Sequence, residues 1–216
     1  MLSIVNSMAL DGLNGYLVEV ETDVTGGLPN FDVVGLPDTS VREAKERIRA
    51  AIKNSGIEFP SKRFLVNLAP ASTKKEGTSL DLPMAIGILY ATGKIFTKMD
   101  LSKTIFIGEL SLDGKINKVN GILPMCVDAL KYGIKRVVVP KDNCKEAAVV
   151  NGLEVIPANY LSDVIEFLNG SKKIETYNID IRNLLKIANK YNEDFSEVKG
   201  QENIKRALEV AAAGRT

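Results

Sequence analysis

The chain has 216 residues, 45% of them apolar and 25% charged, with a formal net charge of +1. This is the profile of an ordinary globular protein with one sizeable core, and it leaves no global field to draw the molecule toward nucleic acid or membrane. Histidine is absent, which excludes Ser-His-Asp and Cys-His catalysis and every His-ligated metal site within these residues.

At the N-terminus, MLSIVNSMALDG has neither the basic lead nor the apolar length of a signal peptide. No later stretch approaches the ~18 apolar residues of a membrane helix, so a cytoplasmic protein without a membrane partner is expected. Residues 1–36 read as strands: GYLVEVETDV alternates apolar and polar positions, and LPNFDVVGLP is a short strand between proline and glycine punctuation. The clearest helix follows in DTSVREAKERIRAAIKNSG, with Ser40 and Glu43 spaced as a capping box and Gly56 as its stop. Its apolar stripe is Val41, Ala44, Ile48, Ala51 and Ile52. Arg42, Lys45, Arg49 and Lys53 share another face, which is either a solvated surface or a contact for phosphates.

RFLVNLAP is a buried strand, followed by the polar loop ASTKKEGTS and the apolar helix LDLPMAIGILYATG. Lys74, Lys75, a glycine and hydroxyls just before a helix can hold an anion. The competing reading is that Thr78 or Ser79 caps the helix containing Pro83 while the lysines are solvated. The segment is not a Walker A loop, because G-x-x-x-x-G-K-[ST] does not occur in the chain. KTIFIGELS is a further strand, LDGKIN turns through Asp113-Gly114, and a helix near 122–132 leads to the strand KRVVVP. Helix 141–150, strand LEVIP and helix 160–169 complete the pattern. Cys126 and Cys144 have no CxxC partners and read as buried thiols rather than zinc ligands or a disulfide.

A strand-rich start followed by alternating strands and helices predicts α+β or mixed α/β, with helices covering a sheet. After Gly170 the composition turns polar, and SKKIETYNIDIRNLLKIANKYNED reads as a linker with one short apolar helix pattern. The closing DFSEVKGQENIKRALEVAAAGRT opens a new element, with Ile204, Ala207, Leu208 and Ala211 on one helix face. The expected organisation is a domain at 1–170, a linker at 171–193 and the start of a further module at 194–216.

Three long blocks carry a resemblance: GLPNFDVVGLPDTSVREAKERIRAAIKNSG, NLAPASTKKEGTSLDLPMAIGIL and DFSEVKGQENIKRALEVAAAG. Together they resemble the Mg-chelatase-like AAA+ proteins of the YifB/ComM type, and the likeness runs over essentially the whole chain. The resemblance implies an N-terminal portion of a longer protein whose ATPase module opens at 194–216. That parent would use ATP and Mg, assemble as a homo-oligomeric ring and drive branch migration of DNA during recombination. The first domain would be a two-layer α+β unit similar to the proteolytic domain of Lon and the C-terminal domain of RadA.

GELSLDGKIN is similar to a turn shared by those domains, and Ser79 falls at the position of the Lon nucleophile. Where Lon has its lysine base, this chain has Leu123, which cannot accept a proton. The resemblance therefore implies a non-catalytic accessory domain with no cofactor of its own. A Lon-type Ser-Lys peptidase and a magnesium-chelatase motor subunit are the alternatives. Val198 and Gly200, in VKGQE, resemble the stretch that lies against adenine in AAA+ proteins, and any DNA contact would fall to Arg42, Lys45, Arg49, Lys53, Lys74 and Lys75.

Overall fold

The sheet grows from a hairpin at the N-terminus. In a computed structural model, which describes residues 2–179 and 194–214, β1 (Leu2–Asp11) and β2 (Asn14–Thr25) pair antiparallel from Leu2↔Asp23 to Asp11↔Asn14. The turn between them needs the left-handed backbone of Gly12, whose φ is 61°. The alternation in β2 sorts its side chains as the pleat requires. Val18, Val20 and Val24 enter the core, and Glu19, Glu21 and Asp23 point to the opposite side.

The remaining elements of this unit follow in chain order as β3 (Asn30–Val34), α1 (Thr39–Asn54), β4 (Arg63–Ala69), α2 (Asp81–Ala91) and β5 (Thr104–Phe106). Then come the small hairpin of β6 (Glu109–Leu110) and β7 (Ile116–Asn117), α3 (Ile122–Ala129), β8 (Arg136–Pro140), α4 (Cys144–Ala147), β9 (Glu154–Ala158) and α5 (Leu161–Leu168). Seven strands form one mixed sheet in the order β3-β4-β2-β1-β5-β8-β9. β2 runs antiparallel to both of its neighbours, while the β3–β4, β1–β5, β5–β8 and β8–β9 pairs are parallel. The fold is therefore mixed α/β with a mostly parallel sheet.

Helix α1 buries Val41, Ala44, Ile48, Ala51 and Ile52, the stripe that its spacing predicts. Full burial of Val41, Ile48 and Ile52 contributes about 1.5–3 kcal/mol each. Its N-terminus differs from the expectation. Asp38 is the cap, its carboxylate accepting from the Val41 N–H at 2.8 Å, and Ser40 lies inside the first turn. Asp38 wins because it sits in extended backbone, where a short acceptor reaches the free N–H groups. Gly56 ends the helix region as expected, with a φ of 80°. Helix α2 is apolar all round and almost wholly buried, which makes it the central helix rather than a surface one.

Two apolar clusters lie on opposite sides of the sheet. Val5, Val18, Val20, Phe106 and Val138 face α1, α2 and α5, whereas Met8, Ile105, Val137 and Val139 face α3 and α4. β5, β8, β9 and the Met8 end of β1 are thus covered on both faces, α3 also reaches the Gly15–Leu17 end of β2, and the rest of β1 and β2 with β4 and β3 has two layers. This corrects the uniform two-layer expectation. The strands β5, β8 and β9 are parallel and carry apolar residues on both sides, a pattern that demands two covers.

The compact unit runs to Ile179 rather than stopping at Gly170. The segment after Gly170 is tied down where the Tyr177 N–H donates to Val155 O at 2.8 Å, and Ile174 and Tyr177 pack against the two clusters. The linker's apolar helix pattern falls in 180–193, outside the described residues. The second unit contains a 3-10 turn at Phe195–Glu197, capped by Asp194 on the Ser196 N–H, and the helix α6 (Glu202–Gly214).

Candidate functional site

The loop between β4 and α2 is held by the Leu36–Asp38 segment on one side and by Gly108–Glu109 on another. The Lys75 N–H donates to Leu36 O, its carbonyl accepts from Asp38 N, and Asp38 Oδ2 accepts from the Gly77 N–H at 3.2 Å. One residue therefore caps α1 and also anchors the loop. Beyond it, the Gly108 N–H donates to Ser79 O, and the Thr78 hydroxyl donates to Glu109 Oε2, joining the loop to β6.

Lys75 itself is fully buried, and its ammonium donates to the carbonyls of Pro70 and Thr73. Burial pushes its pKa below the ordinary lysine value. With the amine committed to backbone oxygens inside the loop, Lys75 is not open to a phosphate and leaves the candidate DNA set. Lys74 is exposed, but its Nζ lies 2.6 Å from Glu76 Oε1. The anion-holding reading of the loop loses Lys75, while Lys74 stays exposed beside Glu76.

A polar cleft of about 450 Å³ opens beside this loop, lined among others by Glu76, Thr78, Ser79, Glu109, Lys118 and Asn120. Ser79 is buried. Neither it nor Thr78 caps α2, whose N-cap is Leu80 without a side-chain bond. What fixes the start of α2 is an ion pair that no local pattern reveals. Asp81, buried, accepts from Arg47 Nε at 2.7 Å, from Arg47 Nη2 at 3.0 Å and from the Leu110 N–H at 3.2 Å. Burial raises the Asp81 pKa, and the Arg47 hydrogen bonds pull it back only in part. The pair fastens α1, α2 and β6 together and so sets the wall of the cleft.

Leu123 sits in the first turn of α3, 39% exposed, with its N–H donating to Glu146 Oε1 at 2.9 Å. It is not among the residues lining the cleft. Lys118 does line it, but is exposed, whereas a lysine base for serine needs a water-excluded setting. The carboxylate of Glu109 is occupied by Thr78 and by Asn117 Nδ2 at 3.1 Å. Cys126 and Cys144 are both buried and free, and burial pushes the Cys126 thiol up to about 12. No group of His, Cys, Asp or Glu among the described residues is suited to holding a metal ion.

On α1, Arg42, Lys45, Arg49 and Lys53 are all exposed as the spacing predicts. They are not equivalent. Arg42 Nε donates to Pro37 O at 3.2 Å, and the exposed Glu43 and Glu46 interleave the upper part of the face. Arg49 lies over the Phe59 ring, 5.3 Å from its centroid, and lines with Lys53 and Lys62 an open groove of about 680 Å³ at the helix C-terminus. In the second unit, Val198 is exposed and Gly200 takes a φ of 72°. No phosphate-binding loop occurs in the sequence to complete a nucleotide site around them.

The family profile described as subunit ChlI of Mg-chelatase matches residues 20–143. Escherichia coli (strain K12) "Uncharacterized protein YifB" is 39% identical over 213 residues, covering 99% of this chain and 41% of that protein. Haemophilus influenzae "Competence protein ComM" is 38% identical over 215 residues, covering 99% of this chain and 42% of the relative. A Lon protease from Rhizobium meliloti is 29% identical over 177 residues, 76% of this chain and 22% of the protease. The chain spans about two fifths of the length of the first two relatives. No helix among the described residues is long and apolar enough to cross a membrane.

Proposed function

From a chain that belongs to the Mg-chelatase ChlI-subunit family, an AAA+ ATPase type, and within it to the YifB/ComM group, we propose a non-catalytic accessory domain of an ATP-driven ring that remodels DNA during recombination. The observation that carries the non-catalytic part is the cleft around Ser79. Among the described residues no acceptor is hydrogen-bonded to its serine hydroxyl: of the titratable groups in the lining, Lys118 is exposed, Glu76 is exposed and paired with Lys74, and Glu109 is engaged by Thr78 and Asn117. The competence name of the Haemophilus relative supports the recombination part. ATP and Mg would be used by the AAA+ module of the parent. The given sequence holds no G-x-x-x-x-G-K-[ST] loop, and Val198 and Gly200 would supply at most the adenine side.

The test has two arms. A fluorophosphonate probe should leave Ser79 unlabelled in the purified chain, and stoichiometric labelling there would overturn the non-catalytic reading. The full-length protein should move a four-way DNA junction only with hydrolysable ATP, and Ser79→Ala should not slow it. A junction that stays put with ATP would remove the DNA-remodelling reading. One finding favours a peptidase instead, the Lon relative together with the serine in a cleft; labelling at Ser79 that is lost in Ser79→Ala would select it.

A further inference from the structure

The two faces of the β2–β4–β3 half-sheet carry opposite charge. On the open face, cross-strand registry builds two rows, Leu2–Asp23–Leu65–Asp32 and Ile4–Glu21–Asn67–Val34, with Glu19 beside them. Leu2, Ile4, Val34 and Leu65 are 61%, 47%, 42% and 43% exposed there. Among the described residues of this unit, these side chains leave an exposed apolar surface interleaved with carboxylates, and Arg63 lies at its border, 3.9 Å from Asp32. Such a patch on a folded domain marks an interaction surface.

On the other side of the same half-sheet lies the groove at the end of α1. Its floor is Ile57, Phe59 and Pro60, and its rim carries Arg49, Lys53 and Lys62 against the single acid Glu58. Phe59 is held by Phe64 beneath it, with ring centroids 5.3 Å apart, and by Arg49 above it. One face is therefore acidic and apolar, and the other is basic with an apolar floor. They belong to one rigid sheet-and-helix layer, so a single chain cannot bring them together.

We propose that these two faces bind each other between copies of this chain, the open sheet face of one copy seated on the α1 groove of the next. A two-fold contact is disfavoured, because it would set like charge against like. A head-to-tail contact satisfies both faces on every copy and closes into a ring when the rotation allows. Duplex DNA fits the groove less well, since its rim offers few cations and the acidic Glu43 and Glu46 flank them along α1. The proposal deepens the ring reading given above and rests on it only for closure.

The test is sedimentation of the chain in low and high salt, with charge reversals on each face. Self-association should depend on concentration and weaken between about 50 mM and about 500 mM salt. Glu19→Lys/Glu21→Lys and Arg49→Glu/Lys53→Glu should each weaken it by about tenfold or more. A mixture of the two variants should associate where neither does alone, because a basic sheet face then meets an acidic groove. The quadruple variant should associate by itself, which separates a lost contact from a lost fold. A monomeric wild-type chain at low salt, or failure of both rescues, would overturn the proposal. So would Arg49→Glu/Lys53→Glu that abolishes DNA binding while self-association is unchanged, since the groove would then belong to nucleic acid. The assay contains neither ATP nor DNA, so its failure leaves the ATP-driven reading standing. Loss of ATP-dependent junction movement would in turn leave this contact standing.

Discussion

Replacing Arg47 with methionine removes two of the hydrogen bonds that Asp81 accepts and leaves its buried carboxylate with the Leu110 N–H. The Asp81 side chain is 1% exposed and that of Arg47 is 22% exposed, so water cannot take over from the guanidinium without opening the α1–α2 contact. Breaking such a pair from one side costs about 3–5 kcal/mol, whereas replacing both partners with apolar residues is often neutral. Arg47→Met/Asp81→Leu should therefore recover most of what Arg47→Met loses.

The pH dependence adds a second check on the same pair. In the fold the Asp81 pKa is already raised by burial. Its contribution to stability is thus greatest below the unfolded value of about 3.9 and falls as pH rises through the folded value. Removing Arg47 raises the folded value further, so the deficit of Arg47→Met should be largest near neutrality and shrink toward acid. Urea unfolding at about pH 7.5 and about pH 5 measures both effects. A neutral-pH loss below about 1 kcal/mol, or a deficit that does not change with pH, would refute the reasoning.

Asp38→Ala should destabilise the chain by about 1–2 kcal/mol, and Ser40→Ala by a few tenths at most, measured by thermal unfolding. The opposite order would restore Ser40 as the cap. Gly35 has a φ of 97°, and an added Cβ would stand 2.4 Å from Leu68 O, so Gly35→Ala should cost on the order of 3 kcal/mol. A near-neutral melt would mean that β3 shifts away from β4 with ease. Cys126, with its thiol pushed up to about 12, should resist iodoacetamide at about pH 8 until urea unfolds the chain. Rapid alkylation of the folded protein would contradict its burial.

Local periodicity exposed the parts of the fold that depend on local geometry. The stripe of α1, the alternation of β2 and the Asp113-Gly114 turn all stand where the spacing put them, because each is written within one element. The Ser40–Glu43 spacing misled because a stronger acceptor, Asp38, stands two residues earlier in extended backbone. Lys75 read as solvated or as an anion ligand because nothing in KKEGTS tells that the loop folds over one amine and not over its neighbour. Arg47 and Asp81 were invisible as a pair, since their meeting depends on how α1 crosses α2. The second cover of the sheet was missed for a related reason. The apolar runs in KRVVVP and LEVIP announce buried strands but not which side each helix takes.

The β1–β2 hairpin also bears on how the chain assembles. It stands in the middle of the sheet, its partners are paired across the turn at Gly12 and Leu13, and every other strand adds outward from it. Closing so short a loop demands the least chain entropy of any pairing in this sheet, so the hairpin can form before distant segments arrive. The join to β5 is different. It brings Asn6 opposite Ile105, far along the chain, and is supplemented by the Asn6 and Ser7 side chains donating to Ser102 O and Phe106 O. Those two side chains stitch the late-arriving parallel strands to the early hairpin. In hydrogen exchange, the β1–β2 amides should persist as a block while those of β5, β8 and β9 exchange together at a lower opening energy.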